Sequence, residues 1–190
     1  GEHFFDDVIE TKNSLELFDK VINTLKDPFD KYLLWEWHRI LKKGTVDDEI
    51  DNIGKWKKYE NRLSKTDLKL CEPHLVENNM FNLFEDWNES KKDIYAIAYF
   101  HQRFEHIHPF QDGNGRIGRF IILRQCIENS VDLIAIDDEY NKEYREALYE
   151  AQTTQNVNSL VEIFEKCQVR LDEKLSNYIP TIKQVSEEFD

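Results

Sequence analysis

The sequence predicts an all-α protein built as a helical bundle, and three observations carry this prediction. Apolar residues recur at spacings of three and four along most of the chain, which is the period of amphipathic helices. Helix-breaking residues separate these stretches, as at Pro28 and Gly44. Hydrophobic residues make up 40% of the 190 residues, which is ample for one core, so we expect a single domain over residues 1–190.

The first predicted helices lie on either side of the break at Pro28. Residues 1–13 are short and mixed in character, and Asn13 with Glu16 resembles a capping pair that opens the first helix. A second helix is predicted over residues 29–43, since apolar and aromatic residues follow the helical period there.

The middle of the chain is predicted to pass from irregular structure to two further helices. The helical period is lost over residues 45–73, where a ragged alternation suggests short extended pieces. It returns over residues 74–90 and again over residues 93–106. The latter stretch is apolar on nearly all sides, so we expect it to be the central buried helix.

The C-terminal half is predicted to continue in the same helical pattern. A turn and helix cover residues 108–129, and a connection follows over residues 130–138. Residues 143–152 and 159–175 then give two more helices, the last of them amphipathic.

A glycine-rich turn near the middle of the chain has the composition of an anion-binding site. Gly113, Asn114 and Gly115 can adopt positive φ angles and turn their N–H groups inward. The apolar helix that follows places these groups at a helix N-terminus, where anions are favoured. Arg116 and Arg119 share one face of the first turn, and cations at this position are best explained by a bound polyanion.

Two residues just before the turn complete a set suited to phosphate chemistry. Asp112 is a lone carboxylate beside the predicted phosphate site, which is a usual way to hold Mg²⁺. His108 is a natural proton acceptor near neutral pH. Phe110 between them is expected to pin the loop to the core. The arrangement predicts phosphoryl-type or nucleotidyl transfer to an incoming hydroxyl.

Other interpretations of the same residues are weaker. The stretch could be a surface turn between helices, with incidental His and Arg residues. A calcium loop requires Gly where Ile117 stands and Glu where Leu123 stands. A zinc site formed by His101, His106 and His108 has no common ligand spacing.

Charge and cysteine usage limit the partners and the compartment. The formal charge of −13 argues against nucleic acid or an anionic membrane surface as the main partner. Cys71, Cys126 and Cys167 are far apart and odd in number, as expected for reduced thiols in a cytoplasmic protein. Neither a leader sequence nor a membrane-spanning apolar run is evident.

The stretch from His108 to Arg119 matches the H-x-F-x-[DE]-G-N-G-R-x-x-R signature of the Fic domain at every fixed position, so the chain resembles that family. The resemblance runs from about residue 9 to residue 175. It includes His38 in a Leu-His-x-x-Leu-like segment and His101 in the lead-in to the signature. It implies a Fic-type helical bundle with a small β-hairpin flap at about residues 54–73, with Lys57 where arginine is usual.

The resemblance implies that the protein transfers AMP from Mg-ATP to a Ser, Thr or Tyr hydroxyl of a target protein held by the flap. His108 would be the base and Asp112 the Mg²⁺ ligand. The roles implied for the remaining signature residues all concern phosphates: Gly113, Asn114 and Gly115 as the nest for the α- and β-phosphates, Arg116 neutralising the transferred or leaving phosphates, and Arg119 holding the γ-phosphate. The acidic chain must meet ATP with a local positive patch, to which Arg103 could add.

Another segment implied by the resemblance lies beside the nucleotide. Tyr144 belongs to a Tyr-x-x-Ala-Leu-x-x-Ala helix that Fic proteins place there. Tyr144 and Tyr149 are candidates for the adenine wall, with core packing as the alternative.

An N-terminal segment over residues 1–13 resembles the inhibitory motif [ST]-x-x-x-E-[GN] of many Fic proteins. Glu10 would then pair with Arg119, although Asp6 and Thr11 depart from the motif. If Glu10 is not inhibitory, either a separate antitoxin-like protein inhibits the site or the chain is unrestrained. The alternatives to AMP transfer are removal of AMP by hydrolysis, transfer of another phosphate-containing group, and a non-catalytic nucleotide-binding module.

Overall fold

We describe the fold from a computed structural model, in which the backbone is described for residues 2–188 and the side chains for residues 4–177. The described part is helical. The helices and their bounds are α1 Glu2–Asn23, α2 Lys31–Lys42, α3 Val46–Glu49, α4 Val76–Glu89, α5 Ile94–Ile107, α6 Asn114–Glu128, α7 Asn141–Thr154 and α8 Asn158–Glu188, with a 3₁₀ turn at Pro73–Leu75. The predicted all-α bundle is confirmed.

The start of two helices is set by aspartate caps. The Asp30 carboxylate accepts a hydrogen bond from the Leu33 N–H at 3.1 Å and opens α2. Asp93 accepts from the Ala96 N–H at 2.9 Å and opens α5. Such caps satisfy N–H groups that have no partner within the helix, so both predicted boundaries hold to within two residues.

Helix α5 is the central helix, as predicted. It packs against α4, α6, α7 and α8. Aromatic rings converge on its Phe100: Phe29 lies 5.4 Å from the Phe100 ring centroid, and Trp87 lies 6.0 Å from it. The helix is enclosed on most sides, and its C-terminal end leads into residues 108–113, which we call the signature loop.

Helix α1 differs from the prediction. It begins at Glu2 and not at Asn13, so the stretch that was predicted to precede the helix forms its first half. The Asn13 side chain caps another helix instead: its Nδ2 donates to the carbonyls of Leu41 at 2.9 Å and Lys43 at 2.8 Å. These carbonyls belong to the last turn of α2 and the residue after it, where no helical donor remains. The interaction fixes α1 across the end of α2.

The prediction of a β-hairpin flap is wrong, because none of residues 54–73 forms a strand. The backbone of the segment bonds to the signature loop and to the end of α5. Its Lys57 N–H donates to the Pro109 carbonyl at 2.7 Å, and the Cys71 N–H donates to the His106 carbonyl at 3.3 Å. The ragged alternation of apolar residues gives no two-faced ribbon that could pair with itself. We call residues 54–73 the flap segment below.

Helices α3 and α8 also differ from the predicted elements. Helix α3 lies within the stretch predicted to be irregular, and α8 runs to Glu188, beyond the predicted end at residue 175. Within the described residues, no helix is both long and apolar enough to cross a membrane.

Candidate active site

The signature loop is a tight connection between two buried helices. Helix α5 ends where His108 adopts a left-handed conformation with φ of +50°, and its N–H still bonds to the Phe104 carbonyl at 2.8 Å. Gly113, with φ of +86°, precedes the first residue of α6. A side chain at this position would be strained, which explains the glycine. The loop therefore has His108 at one end and the N-terminus of α6 at the other.

Gly113, Asn114 and Gly115 were predicted to be able to adopt positive φ angles, and of the three only Gly113 does so. Asn114 is the first residue of α6, and its side chain bonds to the loop. Its Oδ1 accepts from the Phe110 N–H at 2.9 Å, and its Nδ2 donates to the Phe110 carbonyl at 2.8 Å. The side chain is buried, so it shapes the loop from inside and does not line an anion site. Phe110 pins the loop as expected, because it is fully buried and stacks on His38 with ring centroids 4.1 Å apart.

The backbone N–H groups of the first turn of α6 remain suited to an anion. The first helical bond in this turn runs from the Ile117 N–H to the Gly113 carbonyl at 3.1 Å, so the preceding N–H groups have no carbonyl within the helix. At Gly115 a Cβ would meet nothing within 4 Å, which means that open space lies beside this backbone. A phosphate group can approach the turn there.

His108 is neutral at physiological pH and has a defined tautomer. Burial lowers its pKa to about 4, with the positive charge of Lys57 acting in the same direction and the backbone bond at Glu105 opposing it. Its Nδ1 lies 3.2 Å from the Glu105 carbonyl, which can only accept. The ring proton is therefore on Nδ1, and Nε2 keeps the lone pair that a general base needs.

Asp112 is held by two side chains of α2. Its backbone carbonyl accepts from His38 Nε2 at 2.8 Å, and its carboxylate oxygen Oδ2 accepts from Lys42 Nζ at 2.6 Å. Burial alone would raise its pKa, but the hydrogen bond and charge of Lys42 lower it below the usual range. Asp112 is thus ionised at neutral pH while its side chain is 65% exposed.

Lys42 is the main residue that sequence reasoning missed. It is 2% exposed, and its pKa is raised because hydrogen bonds to Asp112, Glu10 and Asp47 outweigh the opposing effect of burial. A signal was present in the sequence. Lys42 follows His38 by one helical turn on the face of α2 that also carries Leu34 and Leu41, so it falls where an apolar residue is expected.

Glu10 reaches the site from α1, but its partner differs from the prediction. Its Oε2 accepts from Arg116 Nη1 at 2.9 Å, and its Oε1 accepts from Lys42 Nζ at 2.5 Å. No ion pair joins Glu10 to Arg119 among the described side chains. The reason is the register of α6: Arg116 lies in its first turn, whereas Arg119 lies one turn further along. Arg119 is exposed, and its charge acts on the buried Glu105.

Tyr144 belongs to the hydrophobic core. It is 7% exposed, and its hydroxyl is 2.6 Å from His101 Nε2. Tyr149 of the same helix is 46% exposed. Arg103 is half-buried. The pKa of His106 is lowered mainly by burial and further by the positive charge of Arg103. Core packing, the alternative stated for Tyr144, describes its surroundings.

The flap segment is attached directly to the signature loop. Lys57, 4% exposed, donates from Nζ to the Ile107 carbonyl at 3.1 Å, at the end of α5. Asn61 Nδ2 donates to the Phe110 carbonyl at 2.9 Å, and the Tyr59 N–H donates to Gln111 Oε1 at 3.2 Å. Residues 57–61 of the flap segment therefore lie next to the loop that carries His108.

No group of three or more His, Cys, Asp or Glu side chains converges as a metal site within the described residues.

Comparison with known proteins identifies the family. The model of the Fic/DOC family matches residues 28–126, slightly over half of the chain. The chain belongs to the Fic/DOC family. The resemblance noted from the signature is thereby confirmed.

Two relatives match this Fic protein over part of its length. An 83-residue region is 35% identical to a probable protein adenylyltransferase from Aquifex aeolicus, and it covers 42% of this chain and 25% of that protein. An 82-residue region is 36% identical to a Fido domain-containing protein from Dictyostelium discoideum, covering 38% of this chain and 57% of the relative. The chain thus spans between a quarter and little over half of the length of these relatives.

Solved structures share the fold. A Fic domain-containing signalling protein from Bacteroides thetaiotaomicron superposes with a TM-score of 0.73 at 22% identity, over 87% of this chain and 70% of that one. The effector BepC from Bartonella tribocorum, solved with bound AMPPNP, has a TM-score of 0.62 at 16% identity, over 85% of this chain and 86% of that one. At these identities the comparison shows the fold alone.

Proposed function

We propose that this Fic protein is a protein adenylyltransferase that transfers AMP from Mg-ATP to a Ser, Thr or Tyr hydroxyl of a target protein and releases pyrophosphate. The observation that carries the proposal is the neutral His108 imidazole, with its lone pair on Nε2, on the loop that leads into the open N-terminal turn of α6. A base and a phosphate site on one short loop suit transfer to a hydroxyl. The name of the Aquifex aeolicus relative agrees with this activity.

In the proposed reaction, Nε2 of His108 accepts the proton of the target hydroxyl. The hydroxyl oxygen then forms a bond to the α-phosphorus of ATP, and the bond between that phosphorus and the pyrophosphate oxygen breaks. A histidine with a pKa of about 4 is a weak base but is already deprotonated at neutral pH, so no proton must first be removed from it.

Charge neutralisation comes from the first turns of α6. The N–H groups around Gly115 face open space and can receive phosphate oxygens, while Arg116 can neutralise the transferred or leaving phosphates. Arg119 is exposed one turn further along, where we place the γ-phosphate. These groups act by position and charge, which is what in-line transfer needs most.

The surroundings of Asp112 fit Mg²⁺. Its carboxylate is ionised and largely exposed, and it is a hard oxygen ligand beside the proposed phosphate site. When bound, Mg²⁺ would neutralise phosphate charge there.

The flap segment is the proposed contact for the target protein, because its backbone bonds place it against the loop that carries His108. Since residues 54–73 form no strand, an extended peptide from the target would add to an irregular segment and not to an existing sheet edge.

Glu10 supports a built-in restraint on this reaction. Its carboxylate occupies Arg116 and lies against Lys42, so the positive charge meant for phosphates is already paired. We propose that ATP binds productively only when Arg116 leaves Glu10. A restraint inside the chain requires no separate antitoxin-like inhibitor.

Hydrolytic removal of AMP from a modified protein is the second candidate, and the position of Glu10 favours it. A carboxylate within the site could activate water as a general base. The two functions differ in their dependence on Glu10, which would be required for removal but inhibitory for transfer.

The proposal is tested by incubating the chain with Mg²⁺ and ATP labelled on the α-phosphate. We expect protein-bound label with Glu10→Gly, less with the native chain, and none with Glu10→Gly/His108→Ala. Nucleotide binding by the His108→Ala variant, measured by calorimetry, confirms that the site is otherwise intact. Label that persists without His108 would contradict the proposed role of the base.

A further inference from the structure

Lys42 is a buried lysine that contacts three carboxylates from three parts of the chain. Its Nζ lies 2.5 Å from Glu10 Oε1 on α1, 2.6 Å from Asp112 Oδ2 on the signature loop, and 2.9 Å from Asp47 Oδ2 on α3. The side chain is 2% exposed, so these contacts are little screened by water. One ammonium group thus joins the N-terminal helix to the proposed metal carboxylate.

The three partners are not equivalent. Glu10 has a second cation, since its other oxygen accepts from Arg116 at 2.9 Å. Asp112 is the most exposed of the three, with 65% of its side-chain surface accessible. Asp47 is 22% exposed and belongs to a helix that packs beside α2. If Lys42 leaves Asp112, Asp47 can keep it paired, so a buried unpaired charge is avoided.

A divalent ion and Lys42 compete for the same carboxylate. Both are attracted by the negative charge of Asp112, and Oδ2 already accepts a charge-assisted hydrogen bond from the ammonium group. A second cation on this carboxylate is repelled by Lys42 at short range. Asp112 is therefore a weaker ligand for metal alone than its exposure suggests.

We propose that Lys42 is the positioning residue of the metal carboxylate, holding Asp112 in place through Oδ2 before the metal arrives, limiting metal binding in the absence of nucleotide, and coupling Asp112 to Glu10. This inference rests on the proposed function, because it assigns the metal to Asp112. It adds a second route for the N-terminal restraint. Glu10 acts on the phosphate site through Arg116 and on the metal carboxylate through Lys42.

The test measures Mn²⁺ binding without nucleotide, by electron paramagnetic resonance of the free ion. Lys42→Met removes the ammonium group and keeps most of the side-chain length. We expect its affinity for Mn²⁺ to exceed that of the native chain about tenfold, the scale of one charge-assisted hydrogen bond. Adding Asp112→Asn should abolish the gain. An affinity within about twofold of the native value, or a gain that persists without Asp112, would overturn the proposal.

Lys57→Met is the matched control for losing a buried lysine. Lys57 is 4% exposed and donates to the Ile107 carbonyl and the Asn61 side chain, with no carboxylate among these partners. Its Mn²⁺ affinity should equal that of the native chain. An equal gain in Lys57→Met would show that any loss of a buried lysine has this effect, and would refute the specific role of Lys42.

Asp47→Asn tests the same proposal in a chain that keeps Lys42, should Lys42→Met not fold. Without its alternative partner, Lys42 stays on Asp112, so Mn²⁺ affinity should fall severalfold. Asp48→Asn, the same charge change at the next residue, should have a smaller effect, because Asp48 accepts from the Gly44 N–H and not from Lys42. Equal effects of the two variants would count against the proposal.

The labelled-ATP assay run in parallel separates this inference from the proposed function. Mn²⁺ affinities that follow Lys42 with no label transfer would refute AMP transfer and keep the role of Lys42. Label transfer together with Mn²⁺ affinities that do not change in the Lys42 variant would support AMP transfer and refute the role of Lys42.

Discussion

Replacement of His38 by leucine should destabilise the protein and displace the signature loop. His38 is 1% exposed, and its two ring nitrogens bond to two different backbone segments. Nε2 donates to the Asp112 carbonyl at 2.8 Å, and Nδ1 accepts from the Gly54 N–H at 3.0 Å. The ring also stacks on Phe110 at an interplanar angle of 3°. One side chain thus joins α2, the flap segment and the loop that carries Asp112.

The expected loss of stability follows from these contacts. Leucine fills similar space but leaves two backbone groups without their partner, at roughly 1–3 kcal/mol each when they stay buried. Loss of the stacked pair adds about 0.5–1.5 kcal/mol, and the apolar side chain recovers about 1 kcal/mol. Together these contributions predict that the free energy of unfolding falls by about 1.5–6.5 kcal/mol.

Urea unfolding at pH 7 measures this change. Arg39→Leu is the matched control, because exposed Arg39 makes one 3.2 Å hydrogen bond to the Gly54 carbonyl, and its loss should change stability by less than about 1 kcal/mol. A change below about 1 kcal/mol in His38→Leu, or an equal change in both variants, would refute the argument that His38 holds the loop.

Further predictions concern the glycines, the restraint and pH. Gly113→Ala should lower the free energy of unfolding by about 1–2 kcal/mol, because φ is +86° at this position. Gly115→Ala should leave it unchanged or raise it, because Gly115 is helical and an added Cβ would meet no atom within 4 Å. Urea unfolding compares the two variants. Both variants should weaken ATP binding in calorimetry, and unaltered binding in Gly115→Ala would contradict the phosphate site. Glu10→Gly should raise self-modification with labelled ATP, and no rise would count against the restraint. The pKa of His108 is lowered to about 4, so the base stays deprotonated between pH 8 and pH 5; a pH profile of kcat/KM with a loss centred near pH 6.5 would contradict this.

The parts of the site that sequence predicts best are contiguous in the chain. His108, Asp112 and the glycine turn lie within one short stretch, and local rules for turns and helix N-termini are enough to bring them together. The signature also identifies the family. Their arrangement follows from the break between two apolar helices, both of which the hydrophobic period predicts.

The parts predicted poorly depend on contacts between distant segments. The resemblance brings Glu10 to the site, but its partner is decided by how α1 crosses α2 and α6, and that crossing is fixed by tertiary bonds such as those of Asn13. The position of Lys42 on the apolar face of α2 could be noticed in the sequence, but its three carboxylate partners come from distant segments and could not. The flap segment makes backbone bonds to the signature loop and to the end of α5, which no local alternation can reveal.

The most direct test of AMP transfer is the position of the transferred label. The Glu10→Gly variant is incubated with Mg²⁺ and with ATP labelled on either the α- or the γ-phosphate, and protein-bound label is compared. We predict α-label on the protein, none of the γ-label, and pyrophosphate released in equal amount. Transfer of γ-label without α-label would show a phosphate transferase and contradict the central claim.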